Sequence, residues 1–392
     1  MHILFAPDSF KGSLSASQFC QIAEEVFSHQ LPDWRLTPLP MADGGEGTMQ
    51  ALVDGTGGTI HSCTVTGPLG EPVTARYAIT GDGTTGLVEM AEASGLPLVP
   101  EARRNPLLTT SYGTGELIRK VLNHNGIQKI ILGLGGSATN DGGAGALQAL
   151  GVRLLDSNGA ELVPGGGALI HLEKIDISAM ESRLRKCRLH IASDVTNPLL
   201  GPHGATMTYG PQKGADQTQL TLLEDGLAHF ARLSIAATGC DQREVPGAGA
   251  AGGMGFGFLS YYQATIESGF GLVAKLYRLE ERLAKQDIDL IVTGEGEVNF
   301  QSIQGKLVGE MVTLGKKYRV PVIVLCGSIS GDISTLYQAG IISISSIASG
   351  PMNLASAMEQ TEHLLRTRLV DLAHILGWAK GSAHITTENN KT

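Results

Sequence analysis

Short apolar runs alternate with amphipathic stretches along most of the chain, and this alternation limits the possible folds more than any other feature. Near the amino end, residues 3–6 are apolar and residues 15–28 place apolar side chains on one helical face. Near the carboxyl end, residues 289–292 and 321–326 have the pattern of buried strands around a helical stretch over residues 305–318. Strands that alternate with helices in this way predict an α/β fold with a parallel sheet between two helical layers.

The chain length and the distribution of these patterns predict two domains. A chain of 392 residues exceeds the usual size of a single core. Residues 59–90 alternate like short antiparallel strands, unlike the units at the two ends. We therefore predict a Rossmann-like three-layer domain built from both chain ends (residues 1–66 and 286–380), a second α/β domain inserted as residues 67–285, and a flexible tail over residues 381–392. Further strands are predicted at 129–132, 188–192 and 341–347, and further helices at 115–124, 143–150, 217–237, 255–268 and 354–376.

The composition argues against several classes of protein. The net charge of −9 disfavours nucleic acid or an anionic membrane as the main partner. The five cysteines are widely scattered without a CxxC pair, which is typical of reduced thiols rather than of disulfides or a zinc site. The amino terminus lacks the apolar core of a secretion signal, and no apolar run approaches the length of about 18 residues that spans a bilayer. We expect a cytoplasmic protein.

The 52 glycines cluster in loops that follow predicted strands, where ligands bind in open α/β sheets. The longest such loop, residues 133–145, combines glycines with small hydroxyl and amide side chains that suit phosphate oxygens. No GxxxxGK[ST] motif is present, which excludes a P-loop kinase. Residues 247–252 match GxGxxG but lack the preceding strand and following acid of a dinucleotide site. Close helix packing and a ligand-facing loop both remain open for that stretch.

Charged residues in four other loops, at residues 6–13, 42–48, 193–198 and 293–301, suggest phosphoryl chemistry. Lys11 precedes a predicted helix start, where an ammonium and backbone N–H groups attract anions, although a solvated turn lysine is the alternative. Asp43 and Glu46 flank a glycine pair and could bind Mg²⁺ or substrate hydroxyls. Asp194 follows a strand and is a candidate general base or metal ligand, with an Asx-turn before Pro198 as the alternative.

The resulting prediction assigns a role to each candidate residue. We predict catalytic roles for Asp194, Lys11 and Asp43; substrate or phosphate binding by Ser9, Gly44, Gly45, Glu46, Gly135, Gly136, Ser137, Thr139, Asn140 and Asn197; nucleotide binding by Gly294, Glu295, Gly296, Gln301 and Lys306; and metal binding by Asp194 and Glu295.

These loops resemble those of the bacterial glycerate kinase family, of the type that forms 2-phosphoglycerate. The resemblance runs from residue 6 to about residue 328, and its most specific parts are the loops at residues 133–145, 193–198 and 293–301. The matching stretches are APDSFKGSLSA, ADGGEGT, EMAEASGL, GTGELI, GLGGSATNDGGAGALQALG, SDVTNPLLG, GPQKGA, VPGAGAAGGMG, TGEGEVNFQSIQGK and VPVIVLCGS.

The resemblance implies two α/β domains with the active site in the cleft between them. It also implies that ATP and Mg²⁺ are used to phosphorylate D-glycerate, commonly at the 2-hydroxyl. We expect a monomer or a homodimer. The chain departs from the family pattern in the loop at residues 293–301, where Glu297 replaces the family's usual Arg and Asn299 replaces its usual Asp. A kinase of another small hydroxy acid and a non-catalytic glycerate or nucleotide sensor are the alternatives, with an NAD-dependent dehydrogenase a distant third.

Overall fold

The computed structural model describes residues 1–42, 47–303 and 307–381. The predicted tail therefore lies outside the described residues except for Gly381. The strands are β1 (His2–Phe5), β2 (Arg35–Pro38), β3 (Thr59–Thr66), β4 (Pro72–Ile79), β5 (Thr85–Glu89), β6 (Lys129–Gly133), β7 (Arg153–Leu155), β8 (Lys174–Asp176), β9 (Arg188–Ala192), β10 (Thr265–Glu267), β11 (Leu290–Val298), β12 (Val322–Ile329) and β13 (Ile341–Ser346).

Helices separate most of these strands. The α-helices are α1 (Ala16–Gln30), α2 (Thr48–Thr56), α3 (Ala91–Ser94), α4 (Tyr112–Leu122), α5 (Ala144–Ala149), α6 (Ala205–Tyr209), α7 (Gln217–Thr238), α8 (Ala250–Tyr262), α9 (Gly269–Leu276), α10 (Leu279–Ala284), α11 (Leu307–Tyr318), α12 (Ser334–Ala339), α13 (Leu354–Glu359) and α14 (Thr361–Ala379). Short 3₁₀ helices cover Leu96–Leu98, Glu101–Arg103, Gly166–His171, Leu184–Lys186, Pro211–Lys213 and Phe300–Ile303. Among the described residues, no helix combines the length and the apolar character needed to span a bilayer.

The chain divides into two compact units, and both boundaries lie before the predicted ones. The first unit joins Met1–Ala42 to Val273–Thr392, and the second is Asp43–Leu272. Residues 59–66 stay in the second unit because β3 pairs along its whole length with β4. Residues after 272 stay in the first unit, where the Tyr277 hydroxyl donates a hydrogen bond to Pro40 O (3.0 Å).

The first unit contains a parallel sheet of five strands in the order β13-β12-β11-β1-β2. Alternate strand residues, including Phe5 and Val292, share a core with α1 and α14. The opposite face meets α11, where a methyl group added to Gly315 would lie 2.6 Å from Val322. Helix α1 begins at Ser15, whose side chain accepts from Gln18 N in a capping box. The unit therefore has the three layers that the alternating pattern predicted.

The second unit contains a mixed sheet of six strands in the order β10-β9-β6-β5-β4-β3. The first four strands of that order run parallel to one another. Strand β4 pairs antiparallel with β5, and β3 pairs antiparallel with β4. Their core includes apolar residues of α4, α5, α7 and α8. Because parallel strands end at the same edge of a sheet, the loops after β5, β6 and β9 begin at the same edge of this sheet.

Three predicted elements differ from the structure. Strand β11 continues through Val298, because its residues 294–298 keep pairing with β12, so Glu295 and its flanking glycines lie in a strand rather than in a loop after it. Helix α8 ends at Tyr262, before the predicted limit of 268, and β10 follows it. The single helix predicted over residues 354–376 is divided between α13 and α14.

Candidate active site

The carboxyl edge of the sheet in the second unit brings together the loops that follow β6 and β9. Glu89, Gly133 and Ala192 are register partners at the ends of β5, β6 and β9. Neighbouring strands lie about 4.8 Å apart. The N–H of Leu134 donates to Ala192 O (3.2 Å), so the two loops begin side by side. The exposed Asp194 is two residues beyond Ala192.

The first part of the loop after β6 exposes backbone N–H groups. Gly135 and Gly136 are exposed, and Gly136 has a φ of +69°. Within the described part of the chain, the N–H groups of Gly135, Gly136 and Ser137 donate no hydrogen bond. The turn itself is fixed, because Leu96 N donates to Gly136 O (2.8 Å) and Ala138 N donates to Ser94 O (2.9 Å). Successive N–H groups in a fixed glycine turn are suited to binding an anion.

The second part of the same loop is buried. The side chains of Thr139 and Asn140 are fully buried, so they support the loop from within rather than face solvent. Asn140 Nδ2 donates to Thr206 Oγ1 (3.1 Å). Among the described atoms, Thr139 Oγ1 and Asn140 Oδ1 have no hydrogen-bond partner.

The glycine stretch at 247–252 packs against this buried part. A methyl group added to Gly252 would lie 2.1 Å from Thr139 O, and Gly142 N donates to Gly252 O (2.9 Å). Residues 247–252 are all buried. Of the two interpretations left open for this stretch, the structure supports close packing.

A buried carboxylate, Asp141, stabilises the loop at its junction with α5. The Asp141 carboxylate accepts from the hydroxyl (2.7 Å) and the N–H (2.9 Å) of Ser111, and from the N–H groups of Gly143 (3.1 Å) and Gly145 (3.3 Å). Burial raises the pKa of Asp141, although these hydrogen bonds oppose the rise. Burial also lowers the pKa of Lys213 to about 7, against the attraction of Asp141.

In the loop after β9, Asn197 has a different role from Asp194. Asn197 Nδ2 donates to His203 O (2.7 Å), and Asn197 Oδ1 accepts from the Tyr209 hydroxyl (2.8 Å). This amide therefore shapes the loop through internal contacts. Asp194 instead presents an exposed carboxylate at the sheet edge.

In the first unit, the loop after β1 lies beside the end of β11. Asp8 N donates to Gly294 O (2.8 Å), and a methyl group added to Gly296 would lie 3.7 Å from Lys11 N. Glu295 is only 8% exposed, and its charge adds to burial in raising the pKa of the Cys326 thiol to about 12. The structure thus brings Lys11 close to the Gly294–Gly296 segment.

A sequence profile described as the glycerate kinase family matches residues 3–377. The chain belongs to the glycerate kinase family. Its relatives include a glycerate kinase from Bacillus subtilis (strain 168), 48% identical over 380 residues, which cover 97% of this chain and 99% of that protein. A glycerate 2-kinase from Escherichia coli (strain K12) is 48% identical over 347 residues, which cover 88% of this chain and 90% of that protein.

A solved structure is also similar to this glycerate kinase family member. A crystal structure assigned provisionally to a glycerate kinase 2 from Salmonella typhimurium LT2 has a TM-score of 0.88 and 42% identity, covering 97% of this chain and 99% of that one. The predicted family, α/β fold class and kinase activity are confirmed by these comparisons.

Several predicted site residues of this kinase cannot be placed. Asp43, Gly44, Gly45, Glu46 and Lys306 lie outside the described residues. Gln301 lies in the 3₁₀ helix Phe300–Ile303. Ser9 is half-buried in the loop after β1, and its N–H donates to Asp8 Oδ1 (2.7 Å).

Sequence reasoning missed Glu89, whose side chain caps the first turn of α2. Glu89 Oε1 accepts from Met49 N (2.7 Å) in the first turn of α2. Glu89 also lines a pocket of about 220 Å³, open solvent included, between α2 and the ends of β5, β6 and β9. The available signal was the position of Glu89 in the EMAEASGL stretch at the end of a predicted strand.

The residues of this family member are compatible with Mg²⁺ that is bound together with a nucleotide. No group of three or more acidic, histidine or cysteine side chains suited to a metal occurs among the residues in 1–42, 47–303 and 307–381. Mg²⁺ is usually bound through one or two carboxylates plus phosphate oxygens, and needs no such cage. The exposed Asp194, beside the N–H groups of the loop after β6, fits one of these carboxylates.

Proposed function

We propose that the chain transfers the γ-phosphoryl group of ATP to the 2-hydroxyl of D-glycerate. The observation that carries the proposal is that the exposed residues Gly135 and Gly136, whose N–H groups donate no hydrogen bond among the described residues, lie at the same sheet edge as the exposed Asp194. Donors for phosphate oxygens and a carboxylate for the attacking hydroxyl are what phosphoryl transfer requires. The choice of the 2-hydroxyl is supported by the name of the Escherichia coli relative.

The proposed reaction is an in-line transfer in which the chain positions the reactants and balances charge. The N–H groups of Gly135, Gly136 and Ser137 hold oxygens of the transferred group. Asp194 orients the substrate hydroxyl and accepts its proton, while the bond from the γ-phosphorus to the bridging oxygen breaks and a new bond to the glycerate oxygen forms. Asp194 would also be a carboxylate that helps to hold Mg²⁺, and the metal would supply positive charge against the negative charge that develops during transfer.

The proposal also assigns charge neutralisation and nucleotide contacts to other predicted site residues. Lys11 is an exposed ammonium that can neutralise a phosphate or the glycerate carboxylate. The Gly294–Gly296 segment with Glu295, together with Gln301 and Lys306, is proposed to bind the nucleotide. Asp43, with the neighbouring Gly44, Gly45 and Glu46, is proposed to assist Asp194.

Cytoplasmic function and a monomeric or homodimeric state remain part of this proposal. The location is supported by the five cysteines, all of which are free thiols. A membrane or a nucleic acid is not a proposed partner, because the chain has a net charge of −9.

A coupled assay of ADP formation with ATP, Mg²⁺ and D-glycerate tests the proposed activity. We expect turnover that depends on all three components, and phosphorus NMR of the product should report a 2-phosphate. Binding of glycerate or ATP without turnover would instead indicate a sensor. Faster turnover with another small hydroxy acid would change the substrate, and NADH formation from NAD would indicate a dehydrogenase.

Substitution of Gly136 with Ala tests the anion-binding turn. Because Gly136 has a φ of +69°, a side chain there strains the backbone by about 1–2 kcal/mol, although its methyl group would meet Ala91 Cβ at an ordinary 3.5 Å. We expect the altered turn to lower kcat/KM for ATP by about tenfold or more, since misplaced binding groups cost up to about 10²-fold. Steady-state kinetics measures this loss.

Gly159→Ala is the matched control for that substitution. Gly159 has a similar φ of +77° and no atom within 4 Å of an added methyl group, and it lies in the turn after β7. The control should lose similar stability and keep its kcat/KM. Equal kinetics in the two variants would remove the Gly136 turn from the proposed site.

A further inference from the structure

Lys213 is a buried lysine that the proposed mechanism does not use. It ends the 3₁₀ helix Pro211–Lys213 and is only 2% exposed. Its ammonium donates to Thr139 O at 2.7 Å, across 74 positions of the chain. Lysine is almost never buried to this extent unless it is paired, because the ammonium loses its hydration. We therefore looked for the function of this buried ammonium in the loop that contains Thr139.

The contacts of Lys213 act on the buried half of the loop after β6. Thr139 O accepts from Lys213, while the neighbouring Asp141 carboxylate accepts from Ser111 and from the start of α5. Asp141 is also the charged group that attracts Lys213. Hydrogen bonds from Lys213 and from Ser111 thus fix residues 139–141, and the N–H groups of residues 135–137 lie directly before them in the same short loop.

We propose that Lys213 is a positioning residue that fixes the backbone at Thr139 so that the N–H groups of Gly135–Ser137 are presented to the phosphate. This role rests on the proposed function, because it concerns the anion-binding part of the same site. Lys213 itself does not touch the substrate, since its side chain is buried. Thr109 Oγ1 gives parallel support by donating to Ala138 O (2.8 Å), one residue earlier.

A purely structural role would give a different result on mutation. Replacing a buried charge by an apolar side chain of similar volume is often neutral or stabilising when its partner is also neutralised. If Lys213 only stabilises the fold, a variant that still folds without it should keep the wild-type kcat/KM for ATP. If Lys213 positions the loop, such a variant should not keep it, because the carbonyl of Thr139 would lose its donor.

The test compares K213M and K213R with the wild-type chain by steady-state kinetics, ATP binding calorimetry and thermal denaturation. We expect K213M to lose on the order of 10²-fold in kcat/KM for ATP, which is the scale for displaced binding groups. K213R should regain part of this loss, because its guanidinium can donate to the same carbonyl. K174M, which removes an exposed lysine on β8, should behave as the wild type.

Two further comparisons keep the proposal falsifiable. If K213M does not fold, K213M/D141N removes both buried charges, and it should fold and still bind ATP more weakly than D141N alone. If the wild type binds ATP without phosphorylating glycerate, the proposed function fails, while the binding comparison still tests Lys213. Wild-type ATP affinity and kcat/KM in a folded K213M, or in K213M/D141N relative to D141N, would overturn the proposal.

Discussion

Replacing Asp194 with Asn is expected to lower kcat by about 10²–10⁴-fold, the range for loss of a positioned general base. The amide keeps the shape of the side chain but neither accepts the hydroxyl proton nor carries a charge for Mg²⁺. Asp194 is exposed, so the substitution buries no group, and thermal denaturation of both proteins checks that the loss of kcat is not a loss of folding. The ADP-coupled assay with saturating D-glycerate and ATP measures the loss directly.

The control for Asp194 is another exposed carboxylate of the same unit. Asp225→Asn on α7 removes an equal charge away from the sheet edge and should keep kcat within about twofold. Titration with Mg²⁺ then separates the two functions of Asp194, because excess metal can compensate for a lost ligand but not for a lost base. We expect no rescue. An Asp194→Asn variant with near-wild-type kcat would exclude this residue from the mechanism.

Replacing Asp141 with Ala is expected to lower the stability of the second unit by about 3–5 kcal/mol, because several buried donors lose their acceptor and each unsatisfied buried group costs about 1–3 kcal/mol. The substitution leaves Lys213 without its opposite charge and leaves the donors of Ser111, Gly143 and Gly145 without an acceptor. Hydrogen exchange of peptides from residues 139–149, followed as a function of denaturant, measures stability in this unit separately from the other.

Two milder substitutions complete the test of Asp141. Asp141→Asn keeps an acceptor for some of the donors and should cost less than Asp141→Ala. Ser111→Ala removes a single hydroxyl, which donates to Asp141 and accepts from Ala146 N (3.0 Å), and should cost about 1–3 kcal/mol. If Asp141→Ala lowers the free energy of unfolding by less than Ser111→Ala does, this carboxylate does not stabilise the loop as described.

Local sequence patterns predicted most elements because the relevant forces act over a few residues. Ser15 and the apolar face of residues 15–28 gave α1 within two residues of its bounds, and the apolar run at 188–192 gave β9 at its bounds. The end of β11 was missed because its extension depends on pairing with β12. The limit of α8 was missed because residues 265–267 pair with β9, which a helical period does not reveal.

Burial separates the predicted site residues into two groups, because neighbouring residues of one loop differ in their exposure to solvent. Gly135, Gly136, Thr139 and Asn140 have similar loop character in the sequence, yet the first two are exposed and the last two are fully buried. Asn197 and Asp194 follow the same strand, but the amide of Asn197 is used within its loop. Composition predicted that these loops are functional, and their contacts separate the exposed groups from the buried supporting ones.

The sequence by itself determined the family, most of the strands and helices in their order, and the position of the glycine-rich loop at residues 133–145 after a strand, because these depend on local periodicity and short motifs. Only the tertiary structure decided which loop atoms face solvent and which residues hold them. Lys213 and Glu89 contact Thr139 and Met49 across long chain separations, and no local pattern encodes such contacts. The physical reason is that burial and hydrogen-bond partners are set by packing between distant segments.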